Sequence, residues 1–153
     1  MSPTHEATRP SSLAGYLETM SRIVFASGMS WRVVEAKWDG IRAGFCDFEP
    51  ARVAALTPAD VDRLAADPAV IRNRKKIEAT IHNAAVMLEL DSRQGGFAGY
   101  LASRGGFEKT AAELRRDFRF LGESGVYYFL WAVAEPVPAY EEWRASHRRR
   151  SVA

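Results

Sequence analysis

The sequence predicts an all-α protein, and three observations support this fold class. Apolar residues recur at spacings of three and four along most of the chain, as Tyr16 and Met20 do, which is typical of amphipathic helices. Helix-capping residues stand where these patterns begin or end, including Gly28 and the pair Thr57-Pro58. The alternation of apolar and polar residues that a strand requires reaches no useful length.

Two helices are predicted in the first third of the chain, the first beginning at Leu13. The apolar face of the first helix comprises Tyr16, Leu17, Met20, Ile23 and Val24. Gly28 is suited to end this helix, and Ser30 is suited to cap the second. The apolar stripe of the second helix comprises Trp31, Val34, Trp38 and Ile41. This spacing places Trp31 and Trp38 on one face of a single helix.

Local start and stop signals define the helices in the middle of the chain. A short helix is predicted around residues 53–56. Thr57 as N-cap, with Pro58 at the first helical position, marks the start of the next helix, which should stop before Pro68. A longer helix is predicted from about residue 73 to about residue 90, because apolar residues recur there at helical spacing.

Three further helices are predicted in the last third of the chain. They cover about residues 97–101, 110–118 and 124–134, and the last of them is the most apolar. The pair Gly105-Gly106 separates the first helix of this group from the second. The segment after Pro136 and Pro138 is interpreted as a tail that ends in a basic run.

Length and composition fit one globular domain. The chain has 153 residues, of which 47% are hydrophobic and 26% charged, enough apolar material for a core. We expect residues 1–12 to form a flexible N-terminal arm, residues 13–145 a single helical domain, and residues 146–153 a basic C-terminal tail. No apolar stretch is long enough to cross a membrane. The single cysteine, Cys46, fits a reducing cytoplasm.

The segment 60–77 is the most informative part of the chain, because it predicts a helix, a tight turn and a second helix. The polar residues at the start of the second helix are Arg72, Asn73, Arg74, Lys75 and Lys76. A helix N-terminus presents unpaired backbone N–H groups that bind phosphate, and nearby cations add affinity for a nucleic-acid backbone. A solvated, charged face on an ordinary helix pair explains the same residues equally well. The net charge of only +2 means that any nucleic-acid affinity must come from such a local patch.

Trp31 and Trp38 also allow two interpretations. They are core residues, as aromatic residues at helical spacing usually are, or they are plates on which an extruded nucleic-acid base stacks. The histidines give no sign of a metal site, because His5, His82 and His147 lie far apart and away from the cysteine. The residues by themselves indicate a helical domain with a candidate nucleic-acid surface and go no further.

Four stretches, taken in order, resemble the family of DNA-3-methyladenine glycosylase I. Residues 27–31 (SGMSW) are similar to the family's AGLSW element, and residues 45–53 (FCDFEPARV) are similar to the segment that follows it. Residues 60–84 resemble the family's hairpin DVERL…D.GIIR.R.KI..…NA, and residues 118–129 resemble GF.FVG…YSFMQA. The match is collinear over about residues 16–134. The resemblance therefore implies the helix-hairpin-helix fold of the DNA glycosylases.

The resemblance also implies an enzyme of base excision repair whose partner is damaged double-stranded DNA. Such enzymes bend DNA, flip out 3-methyladenine and cleave its N-glycosidic bond. Alkylation makes the base cationic and a good leaving group, so the enzyme has mainly to find, extrude and hold it. On this basis Trp31 stacks on the base, Ile23 and Trp38 belong to the same base-binding pocket, and Tyr127 lies in the helix behind it. The hairpin at residues 68–73 presents backbone N–H groups to a phosphate, with the basic cluster beside it.

The chain departs from the family pattern at functional positions. The family's base-reading glutamate stands eight residues before its tryptophan, where this chain has Ile23, which accepts no hydrogen bond. An acid from elsewhere, for instance Glu18 or Asp39, would restore that function. Ala69 replaces a hairpin glycine. The family's zinc site uses Cys and His residues from both termini; this chain has no cysteine near either, so we expect no zinc and no other cofactor.

Two hypotheses about function follow. The first is a working N-glycosylase for 3-methyladenine or another small alkylated base. The second is a catalytically inactive DNA-binding or protein-interaction descendant that kept the fold. The missing glutamate favours the second hypothesis, whereas Trp31 and the basic hairpin favour the first. The sequence leaves the enzymatic status and the oligomeric state open.

Overall fold

The computed structural model describes residues 6–102 and 105–152, with side chains as far as His147. The α-helices in these residues are Leu13–Ala26 (α1), Trp31–Ala36 (α2), Trp38–Gly44 (α3), Pro50–Ala54 (α4), Pro58–Ala66 (α5), Arg74–Asp91 (α6), Gly96–Ala102 (α7), Phe107–Asp117 (α8), Glu123–Ala132 (α9) and Tyr140–Val152 (α10). A 3-10 helix, Cys46–Phe48, lies between α3 and α4. The described residues contain no strand, so the all-α prediction is confirmed.

The predicted capping residues start and end the helices as expected. The hydroxyl of Thr57 accepts a hydrogen bond from the Asp60 N–H (3.2 Å), and the Asp60 carboxylate accepts one from the Thr57 N–H (2.8 Å). The bond from the Thr57 N–H is the main reason why the pKa of Asp60 lies below its ordinary value. The side chain of Asn73 caps α6 by accepting from the Lys76 N–H (3.1 Å). Gly28, with φ of +74°, turns the chain away from the end of α1.

The predicted second helix is two helices, because the chain leaves the helical conformation at Lys37 (φ −102°, ψ 3°). The Nζ of Lys37 donates a hydrogen bond to the carbonyl oxygen of Pro68 (2.7 Å), in the turn between α5 and α6. The prediction that Trp31 and Trp38 share a face of one helix is therefore wrong. The physical reason is that the break lets the two rings pack on different partners, Trp31 on α9 and Trp38 in the core.

The last helix, α10, is not predicted from the sequence and lies in the segment after Pro138 that is interpreted there as a tail. Tyr140, Trp143 and His147 lie on one of its faces, and their rings contact each other in sequence. Most other residues of α10 are charged or small, which hides the apolar periodicity. The side chains of residues 148–150 lie outside the described part of the chain, and the behaviour of residues 146–153 as a tail stays a prediction.

Helix α6 forms the centre of the domain and packs against α1, α4, α5 and α7. The fully buried side chains of the core include Met87 of α6 and, from other helices and segments, Leu17, Phe25, Phe45 and Phe129. Because α6 packs against helices from distant parts of the chain, these contacts fix its position in the domain. They also fix the position of its N-terminus. Among the helices of the described residues, none has the length and apolar character needed to span a membrane.

Residues 6–12 have no regular structure but contact the helical domain. The N–H of Thr8 donates a hydrogen bond to the carbonyl oxygen of Ala132 (2.9 Å), at the end of α9. Arg9 forms an ion pair with Glu135 (3.5 Å). Residues 1–5 of the predicted arm, with His5, lie outside the described residues. The division of the chain into arm, domain and tail stays a prediction.

The turn between α5 and α6 packs directly onto α3 at Gly40. A Cβ added at Gly40 would lie 2.2 Å from the carbonyl oxygen of Ala69 and 2.9 Å from the Ala69 Cβ. No real side chain tolerates such distances, so the close approach of the turn depends on the absence of a side chain at residue 40. The position of this turn also determines where α6 begins.

We expect Gly40→Ala to lower the free energy of unfolding by about 1–3 kcal/mol, because the turn must move to make room. Gly99→Ala is the matched control, because Gly99 also lies in a helix and its added Cβ comes no closer than 4.0 Å to the Gln94 carbonyl oxygen. In Gly99→Ala, the higher helix propensity of alanine relative to glycine should stabilise the fold by up to about 1 kcal/mol. Urea denaturation measures both values, and a Gly40→Ala variant as stable as the wild type would contradict the prediction.

Candidate functional site: an aromatic cavity beside a basic helix start

A cavity of about 560 Å³ lies between the end of α1, the start of α2, the start of α9 and one face of α10. Its aromatic lining residues are Trp31, Phe120, Tyr127, Tyr128, Tyr140 and Trp143. Ile23 of α1 and Gly125 of α9 add to the wall, and a Cβ on Gly125 would lie 3.3 Å from Ile23. A cavity of this size with flat, aromatic walls suits a planar aromatic ligand.

The aromatic rings of the cavity contact each other, and the hydroxyl of Tyr127 makes a hydrogen bond as well. The Trp31 and Tyr128 ring centroids are 5.3 Å apart, with the planes at 47°. Tyr127 lies 4.6 Å from Trp143, and its hydroxyl donates to the carbonyl oxygen of Pro138 (2.7 Å). Burial, reinforced by a neighbouring tyrosine, raises the pKa of Tyr127 and so further favours the protonated hydroxyl that donates this bond. Tyr127 thus ties α9 to the segment that leads into α10.

The predicted pocket residues that line this cavity are Ile23, Trp31 and Tyr127. Trp38 does not line it, which corrects the prediction for this residue. Trp38 is 5% exposed, Phe48 stacks on its ring at 5.3 Å, and the Arg22 guanidinium lies 4.4 Å from the ring centroid. With these partners the ring belongs to the core and offers no face to a base. The role of the other three residues in binding a base stays a prediction.

An acidic side chain reaches the cavity, but it is not one of those the sequence suggested. Glu18 accepts a hydrogen bond from Nε1 of Trp38 (2.8 Å) and lies outside the cavity wall. Asp39 is exposed and also lies outside it. Glu123, the first residue of α9, lines the cavity together with Ile23. A carboxylate is therefore present in the same cavity as Ile23, supplied from a distant part of the chain.

Four of the five predicted phosphate-binding residues are exposed at the N-terminus of α6. These are Arg72, Asn73, Arg74 and Lys75. Arg74 pairs with Asp62 (2.7 Å), whereas Arg72 and Lys75 form no ion pair within the described ranges. The backbone N–H groups of the first helical residues, Arg74 and Lys75, have no partner inside the helix. This edge therefore combines free cations with free backbone donors, as an anion site requires.

Lys76, the fifth residue of that prediction, faces the interior, so its assignment to phosphate is wrong. It is 3% exposed, and its Nζ donates to the carbonyl oxygens of Phe25 (2.8 Å) and Ser27 (2.5 Å), at the end of α1. Carbonyl groups at a helix C-terminus lack intrahelical partners, and a buried cation satisfies them. Burial lowers the pKa of Lys76. Lys76 therefore positions the segment that leads to Trp31.

Helix α6 holds the opposite wall of the cavity through Asn83. The Nδ2 of Asn83 donates to the carbonyl oxygen of Arg119 (3.0 Å), and its Oδ1 accepts from the Arg119 N–H (2.8 Å). These two bonds fix the segment before α9, which supplies Phe120 and Gly122 to the cavity. Because Lys76 and Asn83 are two helical turns apart, one side of α6 supports both walls.

Sequence reasoning missed Glu123 and the residues that α10 brings to the cavity. Tyr140, Trp143 and His147 follow the i, i+3, i+7 spacing of one helix face, a signal that could have identified them. Glu123 gives a weaker signal, because an acidic residue in the first turn is common in helices and does not by itself indicate a site. Its place in the cavity follows only from how α9 packs.

The zinc site of the family does not fit the residues of this chain. The single cysteine, Cys46, lies in the 3-10 helix between α3 and α4 and not near a terminus. Throughout residues 6–102 and 105–152, His, Cys, Asp and Glu form no group of three that could hold a metal ion. The expectation that the chain uses no zinc and no other cofactor stays a prediction.

The fold and the site together define a helix-hairpin-helix domain with an aromatic cavity beside a basic helix start. The chain belongs to the methyladenine glycosylase family, whose profile matches residues 14–115. This establishes the family expected from the resemblance, and the matched range contains the first three of the four resembling stretches.

Known proteins with similar sequence and structure agree with this assignment. DNA-3-methyladenine glycosylase 1 of Escherichia coli (strain K12) is 39% identical over 77 residues, which is 50% of this chain and 41% of that protein. A DNA-3-methyladenine glycosylase of Haemophilus influenzae is 28% identical over 125 residues, with 68% of each chain covered. The structure of 3-methyladenine DNA glycosylase I from Staphylococcus aureus superposes with a TM-score of 0.74 at 26% identity, over 85% of this chain and 80% of that one. The expected fold is thereby confirmed.

Proposed function

We propose that this protein is a DNA N-glycosylase that removes 3-methyladenine, or a closely similar alkylated adenine, from damaged double-stranded DNA. The family membership supports this proposal, as do the names of the similar proteins from Escherichia coli and Staphylococcus aureus. The reaction is the first step of base excision repair. The cytoplasmic location that the single cysteine suggests is part of the same proposal.

The observation that carries the proposal is the link between the start of α6 and the cavity. The Nζ of Lys76 bonds to the carbonyl oxygen of Ser27, and Ser27 lines the cavity. The exposed Arg72 and Lys75 lie within four residues of Lys76. A DNA backbone bound at the hairpin is therefore separated from the cavity wall by about the length of one lysine side chain. A nucleotide flipped out of that backbone can reach the cavity.

The proposed reaction needs little acid–base catalysis. An adenine methylated at N3 carries a positive charge, so the bond to the sugar is already weak. Water adds to C1′, the neutral base leaves, and one proton is released to solvent. Trp31 stacks on the base, and the aromatic wall stabilises its positive charge before cleavage. The main work of the protein is then to extrude and orient the base.

The test is the release of free base from methylated duplex DNA by the purified protein. Chromatography of the soluble fraction separates 3-methyladenine from the other bases, and release above the spontaneous rate is expected. A folded protein that binds this DNA and releases no base would be the inactive DNA-binding descendant. Neither release nor binding would leave only a protein-interaction role.

We expect Arg72→Ala/Lys75→Ala to weaken DNA binding and to reduce its salt dependence. Each lost phosphate contact lowers the slope of log affinity against log salt by about 0.9, so the double variant should lose about 2. Arg93→Ala is the matched control, because Arg93 lies beyond the other end of α6 and pairs with Glu89 (3.0 Å). Fluorescence anisotropy between roughly 50 and 200 mM salt gives the slopes. An unchanged slope in the double variant would exclude the hairpin from the DNA surface.

A further inference from the structure

Glu123 is the one acidic side chain on the wall of the aromatic cavity in the described ranges. It is the first residue of α9, and its side chain is 39% exposed. The rest of the wall is mainly aromatic. A ligand in the cavity therefore meets no stronger hydrogen-bond acceptor than this carboxylate.

The two oxygens of Glu123 have different partners. Oε1 accepts a hydrogen bond from Nη1 of Arg115 in α8 (2.5 Å). Arg115 does not line the aromatic cavity but a smaller one of about 330 Å³ beside it. Oε2 contacts Nε2 of His147, which lies on the wall of both cavities. Arg115 therefore holds the carboxylate from outside the aromatic cavity, while Oε2 is directed to a group on its wall.

The imidazole of His147 already makes the kinds of contact that a flipped base needs. Its ring centroid lies 4.4 Å from that of Trp143, with the planes 33° apart, and Trp143 in turn lies 4.6 Å from Tyr127. A nitrogen heterocycle thus packs, tilted, on the Trp143 ring and presents a ring nitrogen to the Glu123 carboxylate. Flipped bases are held in the same two ways, by stacking and by hydrogen bonds to the edge of the ring.

We infer that Glu123 is the specificity-determining residue that accepts a hydrogen bond from the exocyclic amine of the flipped base, an inference that rests on the proposed function. When the base enters, Oε2 exchanges His147 for the amine, while Arg115 keeps Oε1 in place. Ile23, at the position of the family's base-reading glutamate, contributes only apolar surface to the same cavity. The carboxylate has moved from α1 to α9.

The chemistry of the base edge makes this assignment selective. An adenine-type base carries an amine at C6, which donates a hydrogen bond to a carboxylate. A guanine-type base carries a carbonyl oxygen there, and two acceptors then face each other without a proton between them. The negative charge of Glu123 also attracts the N3-alkylated base while it is still cationic. Glu123 therefore favours 3-methyladenine over 3-methylguanine.

The test compares the wild type with Glu123→Gln on duplex DNA that contains both 3-methyladenine and 3-methylguanine. Glutamine keeps the size of the side chain and removes its charge. Its amide N–H can also donate a hydrogen bond to the carbonyl oxygen of a guanine-type base. We expect the release of 3-methyladenine to fall about 10- to 100-fold, as for the loss of a hydrogen bond to a charged group. The release of 3-methylguanine should change less than about threefold, so the preference between the two bases collapses.

Two matched variants separate base recognition from packing. Glu141→Gln removes a carboxylate from the exposed part of α10, outside the cavity wall, and should behave as the wild type. Arg115→Gln breaks the ion pair between Arg115 and Glu123 but keeps the carboxylate of Glu123. It should reduce the preference for 3-methyladenine less than Glu123→Gln does, even where the fold becomes less stable, because the acceptor is still present and only its support is lost.

The outcomes distinguish this inference from the proposed function. An equal fall for both bases in Glu123→Gln, or no fall, overturns the inference and leaves the proposed function intact. If the wild type releases neither base, the proposed function fails, and binding of free 3-methyladenine, followed by quenching of tryptophan fluorescence, decides the inference. Binding to the wild type that weakens about tenfold or more in Glu123→Gln supports it. Equal binding to both proteins, or to neither, overturns it.

Discussion

Replacing Trp31 with alanine is expected to lower kcat/KM for the release of 3-methyladenine by about 5- to 150-fold, which corresponds to about 1–3 kcal/mol of lost base stacking. Trp31 lines the cavity, and its ring packs on Tyr128 at 5.3 Å, so it is held in place before a base arrives. Alanine leaves the base without this plate, whereas Trp31→Phe keeps part of the stacking surface and should lose less. Single-turnover kinetics on methylated duplex DNA measures both variants.

The matched control for Trp31→Ala is Trp131→Ala. Trp131 also packs on Tyr128, at 5.5 Å, but it does not line the cavity. Loss of this ring should lower stability and leave the release rate of the folded protein close to that of the wild type. If both alanine variants lose the same activity, the effect comes from displacement of Tyr128, and Trp31 is not the stacking residue.

Replacing Lys76 with methionine is expected to lower the free energy of unfolding by about 2–6 kcal/mol, because the carbonyl groups of Phe25 and Ser27 both lose their donor, at about 1–3 kcal/mol each. Methionine matches the length of the lysine chain but cannot donate. The end of α1 then loses its anchor on α6, and the segment that leads to Trp31 loses its fixed position. Urea denaturation gives the change in stability.

Lys75→Met is the control for this substitution, because Lys75 is the neighbouring residue and is exposed. Surface changes of this kind usually stay within about 0.5 kcal/mol. A Lys76→Met variant as stable as the Lys75→Met variant would show that water satisfies the two carbonyl groups instead. The same pair of variants separates the roles of the two lysines, since only Lys75 is expected to affect the salt dependence of DNA binding.

The starts of the helices could be predicted because a cap is formed by residues that are close together in the chain. Thr57 and Asp60 exchange hydrogen bonds over three residues, and Asn73 caps α6 over the same distance. Gly28 ends the first helix because it adopts a positive φ at little cost. Such signals are complete within a few residues, so they need no knowledge of the rest of the fold.

The break at Lys37 and the packing of α10 against the cavity could not be predicted in the same way. Trp31 and Trp38 have the spacing of one helix face, and only their packing on Tyr128 and on Phe48 separates them. Two of the three aromatic residues on one face of α10, Tyr140 and Trp143, pack on Tyr127 in α9, and no local pattern identifies this partner. In both places a tertiary contact decides the local structure.

The all-α class, most helix boundaries and the methyladenine glycosylase family could be predicted from residue order, because these rest on periodicity, capping and the order of motifs along the chain. That Lys76 faces the interior, that Trp38 lies in the core and that Glu123 lines the cavity emerged from the packing of the helices. Whether a charge stays in water or satisfies a buried partner depends on the groups that surround it in space, and those groups come from distant segments. Burial and the contacts it brings are properties of the packed molecule, which residue spacing along the chain does not contain.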